Sequence, residues 1–150
     1  MNKLLKYVLI VSLSLIVLAL LIFLSHALYE NYLKSYERPE GATGVIAVPI
    51  AVPKGPLFFI YQILLYAFLG VFPLFVIFMS IMYFVKSGKY LNSLLIPLSY
   101  SILGAIITFI WLMTIFTGES GMIVIYIYPG LIGTLIAVGV INGIIKLVKK

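Results

Sequence analysis

The sequence predicts an all-α fold, a polytopic membrane protein built as a four-transmembrane-helix bundle with one long extracytoplasmic loop containing an extended, proline-containing segment. Hydrophobic residues make up 64% of the 150-residue chain and charged residues only 9%, which lies far outside the range of soluble proteins. The apolar residues also fall into four runs that are each long enough to cross a bilayer core. We therefore expect one integral membrane domain, residues 1–150, whose first partner is the lipid bilayer.

The apolar runs predict spans at about residues 7–28, 57–85, 91–116 and 122–145, with an outer loop at about residues 30–56. The second run is longer than the hydrocarbon thickness, so it should tilt or bend, and Pro73 is where it can bend. The first run has a competing interpretation as a signal peptide, because Lys3 and Lys6 precede it and Ser25-His26-Ala27 resembles a cleavage site. Its length exceeds that of a typical signal-peptide core, which favours a retained helix.

Orientation follows from the lysine and arginine residues near the span ends. Seven of these residues flank one side without any acidic residue, and they are Lys3, Lys6, Lys86, Lys89, Lys146, Lys149 and Lys150. The other side has Lys34, Arg38 and Lys54 together with all four glutamates. The positive-inside rule then predicts a multi-pass protein of the cell membrane with both termini cytoplasmic and the long loop outside.

Several chemistries are poorly supported by the sequence. The chain has no cysteine, which excludes disulfides, thiolate catalysis and thiolate metal sites within it. The predicted spans contain no Asp, Glu, Lys or Arg, so we predict no buried proton relay and no enzyme. The single histidine, His26, favours an interfacial hydrogen-bonding role over metal or haem ligation, and we predict no cofactor. The net charge of +6 lies at span ends, so nucleic acid is not an expected partner.

Small and weakly polar residues recur at helical spacing in the third and fourth spans. Such seams let helices approach closely, although a seam of this kind can also line a narrow pore. The predicted helix-packing residues are Pro97, Ser101, Gly104 and Thr108 in the third span, and Gly133, Ala137, Gly139 and Gly143 in the fourth. Positions 133 and 137 point nearly opposite to 139 and 143, so the fourth span is expected to have neighbours on two sides, one of which could be another subunit.

Two further groups of residues are candidates for function. The outer loop has an apolar stretch whose exposure to water would be unfavourable, and it forms a candidate docking surface made of Val45, Val48, Ile50 and Val52. A second candidate group either rings an outward-facing cavity or simply occupies the interface, with Gln62 bonded to the backbone; it consists of Gln62, Ser80, Tyr61, Tyr66, Tyr126 and Tyr128. The interfacial placement is the simpler interpretation, because tyrosine is common at that depth.

Two functions remain as hypotheses. The first is a non-catalytic membrane protein, an accessory or scaffold subunit that packs with other membrane-protein subunits or with itself. It is indicated by the small-residue seams and by the scarcity of ionisable groups in the spans. The alternative is a facilitator or channel for a small neutral solute or lipid, with the seam from Ser101 to Thr108 and the bend at Pro73 as its path.

Overall fold

The structure, a computed structural model, describes residues 2–34, 55–114 and 125–150. These residues form helices and no strand, in four segments that are long and apolar enough to cross a membrane. The first segment is α1, Lys3–Lys34, and the second consists of α2, Pro56–Tyr66, a π-helical turn, Ala67–Val71, and α3, Phe72–Ser87. The third segment is α4, Tyr90–Thr114, and the fourth is α5, Ile127–Val148.

The second segment is interrupted where the sequence predicts that it can bend. Pro73 lacks a backbone N–H and its ring would clash with the carbonyl four residues earlier, at Leu69. The π-helical turn lies immediately before α3, and the Phe72 N–H donates to the Ala67 carbonyl, five residues back. The wider turn relieves the proline clash while most backbone groups remain hydrogen-bonded, as a lipid environment requires.

The connection between α3 and α4 is a two-residue turn. Gly88 ends α3 with φ of 67°, a left-handed conformation that glycine adopts without steric penalty. Its N–H donates to the Phe84 carbonyl at 2.8 Å, and the Lys89 N–H donates to Ser87 Oγ at 3.3 Å. The tight turn forces α3 and α4 to run antiparallel.

Proline also shapes the beginnings of two helices. Pro56 is the first residue of α2, where its missing N–H would have no helical partner in any case. Helix α5 begins at Ile127, and Pro129 lies in its first turn. A proline is tolerated in a first turn for the same reason. Residues 122–124 of the predicted fourth span lie outside the described residues.

The paired segments α3 and α4 lie at the centre of the bundle. Helix α1 packs against α2, α3 and α4, whereas α5 packs against α3 and α4. The core between them is apolar and includes Phe68 and Trp111, whose ring centroids are 5.1 Å apart. Many large apolar side chains point outward, among them Leu13, Ile63, Leu74 and Phe78. A soluble protein rarely exposes so much apolar surface, and lipid accounts for it.

The beginning of α1, the α3–α4 turn and the end of α5 lie at the same end of the bundle. Tyr7 of α1 meets Tyr83 of α3 with ring centroids 5.6 Å apart, and Lys89 and Lys146 line a common cleft. We call this the lysine-rich end. The candidate docking residues Val45, Val48, Ile50 and Val52 lie outside the described residues, as do residues 115–124.

Candidate functional site

Three polar side chains from three helices meet inside the bundle, about one to two helical turns from the lysine-rich end. They are Ser80 of α3, Ser93 of α4 and Asn142 of α5, and none of them is accessible. The Asn142 Nδ2 donates to Ser93 Oγ at 3.0 Å and to Ser80 Oγ at 3.3 Å. We call this group the polar cluster, and it is the candidate functional site.

Each member of the polar cluster lies on the inward stripe of its helix. Ser80 follows the buried Val76 by four residues and precedes the buried Tyr83 by three. Asn142 likewise follows the wholly buried Val138 by one helical turn. Burial of an amide without partners would cost several kcal/mol in hydrocarbon, so the two serine oxygens make its inward position tolerable.

The hydrogen-bond directions determine how the amide is oriented. Ser80 Oγ donates to the Ser93 carbonyl at 2.8 Å, and Ser93 Oγ donates to the Tyr90 carbonyl at 2.6 Å. Both hydroxyl protons are therefore engaged, and both oxygens act as acceptors for the Asn142 amide. A flipped amide would place Oδ1 against two oxygens with no proton to donate.

The remaining amide oxygen of the cluster is not used. Asn142 Oδ1 is buried and has no hydrogen-bond partner among the described residues. The cluster therefore keeps one unused acceptor inside the bundle. Because its members are two hydroxyls and an amide, it offers hydrogen bonding without a general acid or base.

Tyr90 extends these contacts toward the lysine-rich end. Its hydroxyl donates to the Gly139 carbonyl at 3.0 Å, which joins the first residue of α4 to α5. The Lys146 ammonium lies 5.5 Å from the centroid of the Tyr90 ring, in cation–π geometry. Together with the polar cluster, this hydrogen bond sets the register of α4 against α5.

The predicted residues of the third span lie mainly on the buried face of α4. Pro97, Gly104 and Thr108 are buried, and Ser101 is half-buried with its hydroxyl donating to the Leu131 carbonyl at 3.0 Å. A Cβ atom added at Gly104 would lie 2.8 Å from Leu131 Cδ2, which is too close for contact. Leu131 of α5 therefore fills the space that glycine leaves.

The predicted residues of the fourth span are divided between different surroundings. A Cβ at Gly139 or Gly143 would meet Tyr90 Oη at 3.9 Å, an ordinary contact distance. Gly133 is exposed and a Cβ there would meet no atom within 4 Å, while Ala137, one turn later, is half-buried. The inward position at this level of α5 is Val138 rather than Gly139.

The candidate residues near the opposite end are dispersed. His26 Nδ1 lies 3.8 Å from Glu30 Oε1, and the His26 ring meets the Tyr61 ring edge to face at 5.3 Å. Tyr66 and Tyr126 are strongly exposed, so they do not share a cavity with the partly buried Tyr61. No three metal-ligating side chains come together in residues 2–34, 55–114 and 125–150.

Asn142 and Ser93 are the cluster members that sequence reasoning missed. A search for ionisable residues passes over them because neither carries a charge. The available signal is that Asn142 is the only carboxamide in the fourth apolar run, and an isolated amide at that depth calls for a hydrogen-bond partner. Its spacing within one helix does not identify the partner, which lies on another helix.

Comparison of the chain with known protein families, with curated proteins and with solved structures finds no match.

Proposed function

We propose that this chain is a non-catalytic integral membrane protein, an accessory or scaffold subunit that packs against partner membrane helices. The observation that supports it best is the outward small-residue face of α5. Gly130 and Gly133 are exposed there, and a Cβ at either position would meet no atom within 4 Å. Ala137 continues the same face one turn after Gly133. Faces of this kind let a second helix backbone approach closely, and the resulting van der Waals packing favours helix association in lipid.

The inner face of α5 packs against α3 and α4 within the chain, so it is distinct from the outward face proposed for a partner. Asn142 is held by hydrogen bonds to α3 and α4, and Leu131 packs against Gly104. The bundle therefore does not require Gly130 or Gly133 for its own packing. Glycine lowers helix stability by about 1 kcal/mol relative to alanine. Two outward glycines are therefore best explained by contact with a helix of another protein chain.

The proposal includes an orientation and a second contact surface. The seven lysines of the lysine-rich side favour a multi-pass protein of the cell membrane with both termini cytoplasmic. The loop residues Val45, Val48, Ile50 and Val52 would then lie outside, where they form the candidate docking surface for a partner's external part.

The alternative function, a facilitator for a small neutral solute or lipid, has less support. Its path would follow Ser101 to Thr108, but Leu131 packs against Gly104 and the Ser101 hydroxyl is bonded to the Leu131 carbonyl. A path along this seam would require α5 to separate from α4. Liposomes that contain only this protein test it, and selective flux of any small solute would favour the facilitator over the scaffold.

The scaffold proposal is tested by purification from native membranes in mild detergent at endogenous level. We expect a partner protein to co-purify with the wild-type chain and to be lost from Gly133→Leu. Gly70→Leu is the matched control, because Gly70 is also exposed with no atom within 4 Å of an added Cβ, but lies on the second segment. Recovery of a lone monomer, or equal partner recovery from both variants, would contradict the proposal.

A further inference from the structure

An open cleft of about 510 Å³ lies at the lysine-rich end, between the beginning of α4 and the end of α5. Its lining consists of Lys89, Tyr90, Leu91, Asn92 and Lys146. We propose that this cleft binds the phosphate headgroup of an anionic phospholipid. The inference does not depend on the proposed scaffold function, because it concerns a lipid ligand rather than a protein partner.

The charges around the cleft favour an anion. Lys89 lies in the α3–α4 turn and Lys146 in the last turn of α5, and both line the cleft, so two positive charges are available to a phosphate there. Neither lysine is paired with a carboxylate among the described residues. Helices α3, α4 and α5 contain no acidic residue, so no competing carboxylate lies on the three elements that surround the cleft.

Tyr90 gives the cleft a defined wall. Its hydroxyl is anchored on the Gly139 carbonyl at 3.0 Å, so its ring is fixed between α4 and α5. Lys146 lies over that ring at 5.5 Å from its centroid, which places the ammonium beside the cleft and reduces the conformational freedom lost on binding. The Asn92 side chain supplies a further hydrogen-bond donor on the same wall.

The apolar part of the lining selects a phospholipid rather than a soluble phosphate. Leu91 lines the cleft beside Lys89 and is 76% exposed. A free anion gains nothing from this side chain, whereas a phospholipid can place an acyl chain along it while its phosphate contacts the lysines. Basic clefts between membrane helices recognise lipid headgroups by this combination of contacts.

The test measures retention of phosphatidylglycerol and of phosphatidylcholine with identical acyl chains, using native mass spectrometry of the purified full chain in a neutral detergent. We expect preferential retention of phosphatidylglycerol, and a loss of roughly 10- to 30-fold in its affinity for the double variant Lys89→Gln with Lys146→Gln. The variant Lys89→Arg with Lys146→Arg should keep the preference, which guards against a fold defect in the glutamine variant.

The matched control is Lys3→Gln with Lys6→Gln, which removes the same charge from the same end but outside the cleft. We expect it to change phosphatidylglycerol affinity by less than about threefold. Equal losses from both double variants would overturn the proposal in favour of a general surface charge effect. The assignment to a phospholipid would be overturned if inorganic phosphate bound as tightly as phosphatidylglycerol and if that binding also required the two lysines.

Discussion

The side-chain amide of Asn142 in α5 donates a 3.0 Å hydrogen bond to Ser93 Oγ in α4, at a depth where neither side chain is accessible. The same amide group also donates to Ser80 of α3. One residue thus joins three membrane-spanning segments. We therefore expect replacement of any one of these three polar residues to lower the stability of the bundle.

The coupling between Asn142 and Ser93 can be measured with a double-mutant cycle. We expect Asn142→Ala and Ser93→Ala to destabilise the bundle non-additively, with a coupling free energy of about 0.6 to 1.7 kcal/mol. Reversible unfolding in detergent micelles gives the four free energies of unfolding. Asn142→Ala combined with Ser99→Ala is the control pair, because the Ser99 hydroxyl bonds within its own helix, to the Ile96 carbonyl. Additive effects in the first cycle would show that the amide does not join these helices.

Glycine substitutions distinguish internal packing from assembly. Gly104→Leu should lower the free energy of unfolding by about 1 to 3 kcal/mol or more, since its side chain would overlap Leu131. Gly133→Leu introduces the same side chain into open space and should leave the unfolding free energy of the isolated chain unchanged or slightly raised. Thermal unfolding of both purified variants measures the difference. Equal stability would mean that Gly104 is not a packing contact.

Ser101 and Ser99 provide a matched pair on α4. The Ser101 hydroxyl bonds across to the Leu131 carbonyl at 3.0 Å, whereas the Ser99 hydroxyl bonds to Ile96 in the same helix at 2.8 Å. We expect Ser101→Ala to cost about 0.5 to 1.5 kcal/mol of unfolding free energy and Ser99→Ala to cost little. Detergent unfolding of the two variants measures these costs, and a larger loss from Ser99→Ala would contradict the interhelical bond.

Orientation in the membrane is accessible to cysteine labelling, because the chain contains no native cysteine. A cysteine at Ser87, the last residue of α3 at the lysine-rich end, should react with an impermeant maleimide only from the cytoplasmic side. Cysteines at Ala42 and Ser120 should react only from outside. Labelling with the opposite sidedness, or from both sides at one position, would reject the orientation.

The outer loop is expected to be covered rather than exposed to water. Val48 and Ile50 of the candidate docking surface should exchange backbone hydrogens slowly in the assembled protein, because water contact with their side chains is unfavourable. Hydrogen exchange and limited proteolysis from the outer side measure this protection, with Lys54 expected to stay accessible. Rapid exchange throughout residues 43–53 would remove the argument for an external docking surface.

Parts of the candidate site could be read from the sequence and others could not. The spacing of Ser101, Gly104 and Thr108 placed them on one face of α4, because a helix aligns residues three and four apart. The same rule could not tell that Val138 points inward while Gly133 points outward. Lipid is as apolar as the bundle interior, so burial leaves no hydrophobic pattern that distinguishes these two faces.

By itself, the sequence determined that four apolar segments occur, that only a short connection at residues 86–90 separates the second from the third, and that the second segment can bend at Pro73. These features depend on local rules: bilayer thickness sets the length of a span, glycine permits the left-handed turn, and proline removes a backbone donor. The tertiary structure alone decided that Asn142 meets Ser80 and Ser93, residues that are 62 and 49 positions away. That meeting depends on the rotation and register of three helices, which are set by close packing and interhelical hydrogen bonds rather than by separation of polar from apolar residues.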